Sequence, residues 1–158
     1  MILRPFETAA GDTQRLAEFA CSTGTKHEDE VQHWIRDQAV AWINDVPRAE
    51  FQRRSLALIE DGDATLAAVA GWQDIVRVDV EGIWIEVLAV ANSHQHRGTG
   101  LAVYQLVTER LRTAKRQGDH LAGLVHGDNA CSKRLLTAMS WHSAATWDEH
   151  HELWLGGL

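Results

Sequence analysis

Apolar residues recur with two different periods along this chain, and the switches between them mark its elements. Residues 2–6 carry a first short strand pattern. Asp12 or Thr13 can cap a helix that carries Leu16, Phe19 and Ala20. Thr25-Lys26-His27-Glu28 reads as a capping box, with the Thr25 hydroxyl and the Glu28 carboxylate each serving an end N–H. Val31, Trp34, Ile35, Gln38, Ala39, Trp42 and Ile43 then trace one helical face, which ends before Pro47. Strand patterns at 54–60 and 64–72 flank Asp61-Gly62, a hairpin signal. Residues 73–80 stay open between readings: Val76, Val78 and Val80 alternate like a strand, and Glu81-Gly82 reads as a further turn.

The second half is clearer. Ile83 to Val90 is a nearly continuous apolar run, as expected of a strand covered on both faces. A helix follows from about Gly98, with Leu101, Tyr104, Val107, Leu111 and Ala114 at three- and four-residue spacing. Lys115, Arg116 and Gly118 supply its stop. His120 to His126 is the next strand, and Asp128 or Asn129 caps a helix with Cys131, Leu135 and Met139 on one face. Trp141–Trp147 and His151–Leu155 read as two closing strands. The order is β-α-α-β-β-β-α-β-α-β-β. Strand, long helix and strand across residues 83–126 make a right-handed parallel crossover, so the chain is α/β with one mixed sheet.

Composition narrows the partners. A length of 158 residues fits one domain, 1–158, with 45% hydrophobic content for its core. The net charge of −7 argues against a nucleic-acid surface and favours a cationic partner, although solubility alone explains it as well. No run approaches the ~20 apolar residues of a membrane span. The start, Met1-Ile2-Leu3-Arg4-Pro5-Phe6, lacks a signal peptide's regions. Cys21 and Cys131 lie far apart without CxxC spacing, which reads as reduced thiols in a cytoplasmic protein.

The candidate chemistry begins where the apolar run meets the long helix. A helix start leaves about four N–H groups without intrahelical partners and carries partial positive charge, so it suits a phosphate. Gly98 and Gly100 permit the turn and a close approach of ligand to backbone, and Arg97 adds a fixed cation. Such turns also occur with no ligand, so the residues alone leave both roles open. Glu86 is the only ionisable residue in the apolar run. A carboxylate there either serves as a base, points to solvent or pairs with a cation such as Arg77. Metal chemistry finds little: His94 and His96 lack a third ligand at convincing spacing, and His150-His151-Glu152 fails the HExxH pattern because residue 155 is Leu. Trp34, Trp42, Trp72 and Trp84 read as core, with room for one or two to line a pocket.

Gln95-His96-Arg97-Gly98-Thr99-Gly100 matches the signature Gln/Arg-x-x-Gly-x-Gly/Ala, five residues after Val90 of the Leu88-Ala89-Val90 strand end. On these residues, and in element order over essentially its whole length, the chain resembles the GNAT N-acetyltransferase superfamily. The resemblance implies a GNAT fold whose central parallel strands splay apart, and an acetyl-CoA-dependent transfer to a primary amine of a small molecule or protein. It implies that Gln95, His96, Arg97, Gly98, Thr99 and Gly100 hold the pyrophosphate of acetyl-CoA. Leu88, Ala89 and Val90 would meet the pantetheine arm through their main chain, with Asn129 and Ser132 beside it. Glu86 would be the general base. Asn129 serves equally well as the cap of the helix that it begins. The family's usual tyrosine acid is absent: Leu136 stands in its place, with Ser132, Cys131 and His126 as substitutes near the sulfur. That departure keeps a second reading open, an acyl-CoA-binding sensor without turnover. The acceptor would be cationic, and a homodimer is compatible with the family.

Overall fold

The first strand β1 (Ile2–Pro5) leads through a short 3-10 turn into α1 (Asp12–Glu18). A longer helix follows in three parts: α2 (Lys26–His33), a π turn over Trp34–Gln38, and α3 (Ala39–Asn44). Next come β2 (Phe51–Glu60), β3 (Leu66–Val76) and β4 (Glu81–Val90). The long helix α4 (Thr99–Thr113), β5 (His120–His126), α5 (Ala130–Ala138), β6 (His142–Thr146) and β7 (His151–Gly157) complete the chain. This computed structural model describes residues 1–45, 51–76, 81–114 and 120–158. Arg77, Val78, Val80, Pro47 and the stop residues Lys115, Arg116 and Gly118 lie outside them.

Seven strands form one sheet in the order β1-β2-β3-β4-β5-β7-β6. All neighbours are antiparallel except β4 and β5, which run parallel. The crossover through α4 makes that parallel pair, as the element order predicted. The α/β mixed sheet is therefore as expected, and β3 absorbs the open segment as far as Val76.

Strict alternation along β3 sorts the two cores. Ala68, Ala70 and Trp72 face α4 and α5, packing with Val103, Val107, Leu111 and Leu136. Val69 and its neighbours Leu56 and Leu58 face the other way, under Leu16, Phe19, Ile35 and Ala39 of α1 to α3. Each fully buried Leu or Ile contributes about 1.5–3 kcal/mol, so both faces hold the sheet firmly. Gly71 is a close-approach position: a Cβ there would lie 3.1 Å from Val87 and 3.7 Å from the Trp34 ring. The Trp34 ring thus seats over the strand.

Two local expectations need correction. The cap of α1 is Gly11, at φ +77°, where glycine alone carries no penalty. Asp12 sits inside the helix, because Arg4 holds its carboxylate through two bonds of 2.6 and 2.7 Å and the Glu7 N–H donates to it at 2.8 Å. At α2 the Thr25 hydroxyl makes no cap bond. Glu28 does reach back, accepting from the Thr23 N–H at 2.9 Å and from Thr23 Oγ1 at 2.7 Å, and these bonds with those from Thr25 help pull its carboxyl down to about 2 against its own desolvation.

Candidate active site

β4 and β5 pair only over Ile83–Leu121, Trp84–Ala122 and Ile85–Gly123. Beyond that point the two parallel strands part. At the same place β4 carries a bulge: Trp72 pairs with Ile85 and Gly71 with Val87, which leaves Glu86 as the extra residue. The bulge also changes which side chains face which core. Ile83 and Ile85 pack toward α4, and after the bulge so do Leu88 and Val90, whereas Val87 and Ala89 join the α1 side. From Val87 to Val90 the ladder to β3 is complete. The other edge of Leu88, Ala89 and Val90 therefore faces the gap with no strand paired to it among the described residues.

The end of that gap is the loop before α4. Gln95 turns inward, its side-chain amide donating to the carbonyls of Cys21 at 2.7 Å and Val90 at 3.0 Å. Its side chain therefore shapes the loop. His96 at φ +58° and Gly98 at φ +76° alternate the hand of the backbone, a geometry that gathers successive N–H groups into a concavity suited to anions. The first N–H groups of α4 to find a backbone acceptor are those of Leu101 and Ala102, both on Gly98 O. Those of His96 to Gly100 take none among the described residues. A Cβ on Gly98 would meet nothing within 4 Å, so the space above the loop is open. Arg97 is exposed there, Thr99 is buried, and a Cβ on Gly100 would stand in ordinary contact with Leu135.

Glu86 is solvent-accessible, yet protein surrounds it closely enough that desolvation raises its carboxyl above the usual carboxylate range. Trp84 and the charge of Arg54 oppose that rise. Arg54, Gln73 and Trp84 are cross-strand partners on the α1 side, forming a row beside Glu86. Arg54 donates to Trp42 O at 2.7 Å and lies 5.5 Å from the Trp42 ring centroid. Nothing in the sequence marks Arg54, a polar residue at the start of a strand pattern, or Gln73, the first residue of the open segment, as neighbours of Glu86.

The remaining candidates divide. Asn129 caps α5, its side chain accepting from the Ser132 N–H at 3.0 Å. Leu136 is buried in the core with Trp141. Tyr104, the one tyrosine of the chain, is buried too and accepts from Trp141 Nε1 at 2.8 Å. His126 ends β5, its Nδ1 accepting from the Asp128 N–H at 3.1 Å, which leaves the proton on Nε2 in the neutral ring. The His27 ring stacks on it at 5.2 Å. Exposed Cys131 lies 3.5 Å from Arg134, and buried Cys21 is pushed up to about 11 by desolvation.

Over its whole length the chain aligns with solved structures of the same fold. The GNAT domain of PAT from S. lividans aligns over 99% of this chain and 89% of its own, at 15% identity and TM-score 0.72. The chain has the GNAT fold. The PaiA N-acetyltransferase of Thermoplasma acidophilum, solved with coenzyme A, aligns over 99% and 98% at 14% identity and TM-score 0.68. The ribosomal-protein-S18-alanine N-acetyltransferase of Escherichia coli aligns over 99% and 92% at 15% identity and TM-score 0.60. No family model and no curated protein matches the sequence.

Proposed function

We propose that the protein transfers the acetyl group of acetyl-CoA to a primary amine. The observation that carries this reading is the parting of β4 from β5 at Glu86, with the nest of His96 to Gly100 at the far end of the gap. The unpaired edge of Leu88 to Val90 suits the amide groups of a pantetheine arm, and the N–H groups of residues 96–100, which take no backbone acceptor among the described residues, suit a pyrophosphate. The open space over Gly98 leaves room for it. Bound there, acetyl-CoA supplies a thioester carbon open to attack by a neutral amine.

Glu86 takes the amine's proton, directly or through water. An alkyl ammonium has a pKa of ~10.4, so freeing it near pH 7 costs roughly 4 kcal/mol, part of which a nearby base recovers. Desolvation that lifts the Glu86 carboxyl brings the base closer to its working pH. The bond from amine nitrogen to acyl carbon forms, the carbon–sulfur bond breaks, and CoA leaves as thiolate. A thiolate of pKa ~8.5 leaves without a protein acid, so burial of Leu136 and Tyr104 in the core is compatible with turnover. The acidic Glu86 and the net charge of −7 favour a cationic acceptor.

Calorimetric titration with CoA and acetyl-CoA, followed by free-thiol release across a panel of amines, tests the reading. Micromolar binding with amine-dependent release is expected. Binding with no release from any amine would make the chain an acyl-CoA-binding domain, and absence of binding would remove both readings.

A further inference from the structure

The α1 side of the sheet is covered unevenly. Helices α1 to α3 cover its β2 to β4 half, and among the described residues the core cluster beneath them includes none of β5, β6 or β7; at the end of β5 the His27 ring reaches across to His126. On that thinly covered wing Leu124 pairs with Leu153, and Ala122 with Leu155. Leu124 is 36% exposed, and Trp147, in the turn between β6 and β7, is 58% exposed. Both are large apolar groups left to water, and both converge on the catalytic strand. The Trp147 ring lies 6.1 Å from that of Trp84, two residues before Glu86. Leu124 lies two residues past Ala122, the partner of Trp84, which sets it level with Glu86 across the gap. Exposed apolar groups gathered beside a polar centre mark a binding surface.

Resting on the acetyl-transfer reading, we infer that this strip receives the body of the acceptor, and that the acceptor is a small amine bearing an aryl group a few bonds from its nitrogen. An aryl ring against Trp84, Trp147 and Leu124 withdraws their apolar faces from water while its amine reaches Glu86. Charge agrees at the amine's end, where the Glu86 carboxylate stands two residues from Trp84; Asp148 and Glu149, in the turn of Trp147, are engaged with His151 and His150. A polyamine lacks an aryl body to withdraw these faces from water.

The test compares phenethylamine, ethylamine, spermidine and a short peptide as acceptors by thiol release. Binding of each to the CoA complex is measured by calorimetry. Phenethylamine should exceed ethylamine in kcat/KM by about 10- to 100-fold, the usual worth of a filled apolar pocket. Trp147→Ala, at an exposed position, should raise the phenethylamine KM about 3- to 10-fold with kcat little moved, and Leu124→Ser should act alike. Equal kcat/KM for ethylamine and phenethylamine, a preference for spermidine or peptide, or an unmoved KM in Trp147→Ala would overturn the strip while leaving acetyl transfer intact. Phenethylamine binding that weakens in Trp147→Ala, with no thiol release, would keep the strip and overturn the transfer. No binding of phenethylamine by either measure overturns the strip.

Discussion

The Gln95 side-chain amide donates to the main-chain carbonyl of Val90 at 3.0 Å and to that of Cys21 at 2.7 Å, fastening the loop before α4 to the end of β4. Gln95→Ala leaves two part-buried carbonyls without a donor. The expected cost is about 2 kcal/mol, or roughly 4–8 °C in Tm, with weaker CoA binding because the loop loses its anchor. A melt and a CoA titration read both; an unchanged Tm would show that the fastening is idle.

Gly98 is left-handed, and its missing Cβ faces open space. Gly98→Ala should cost about 1–2 kcal/mol of backbone strain and retain CoA binding. Gly98→Glu adds bulk and a negative charge beside the nest and should abolish that binding. Equal CoA affinity in Gly98→Glu and the parent would place the phosphates elsewhere.

Replacing Glu86 by Gln should lower turnover about 10²–10⁴-fold with little change in CoA affinity. In the parent, activity should rise with pH through a pKa above the ordinary carboxylate range, because desolvation raises Glu86 and only its charged form accepts a proton. Glu86→Gln should lose that limb of the profile. A raised folded-state pKa means that Glu86 opposes folding once pH climbs through it, so the variant should also be slightly more stable at neutral pH. An identical pH–rate profile would remove Glu86 from the mechanism.

Asp12 is fully buried, accepts two bonds from the Arg4 guanidinium and lies 3.5 Å from Arg15. The Arg4 bonds hold its carboxyl below the usual range, followed in effect by its own desolvation, which acts the other way. Lowered folded-state pKa values stabilise above the unfolded value of about 4 and lose that contribution as pH falls below it. Glu60, held down first by Arg15, adds in the same window. Asp12→Ala should cost about 3–5 kcal/mol at pH 7, and its deficit should shrink toward pH 3. A pH-independent deficit would assign the loss to packing alone.

Leu136 stands where the family resemblance expects a tyrosine, and it is packed in the core beside Trp141. Leu136→Tyr adds a hydroxyl and volume to a filled site, so a loss of about 1–3 kcal/mol is expected, with CoA binding retained. A faster turnover in that variant would show that proton donation to the thiolate limits the parent.

Periodicity determined most of the order of elements, since most helices and strands bury a face that their own residues specify, whereas β6 is exposed along its length. Ile83 to Val90, Leu101 to Leu111 and His120 to His126 are legible because their apolar spacing matches one period over many residues. The loop before α4 was legible because its chemistry is local: glycines, a cation and a helix start lie within six residues. Three things only the tertiary structure decided. The bulge at Glu86 depends on register against β3, which no spacing along one strand records. Arg54 and Gln73 reach the side of Glu86 through pairing between strands distant in sequence. Trp147 meets Trp84 because the β6–β7 turn folds back over β5, and long-range closure of this kind is set by the balance of two whole cores.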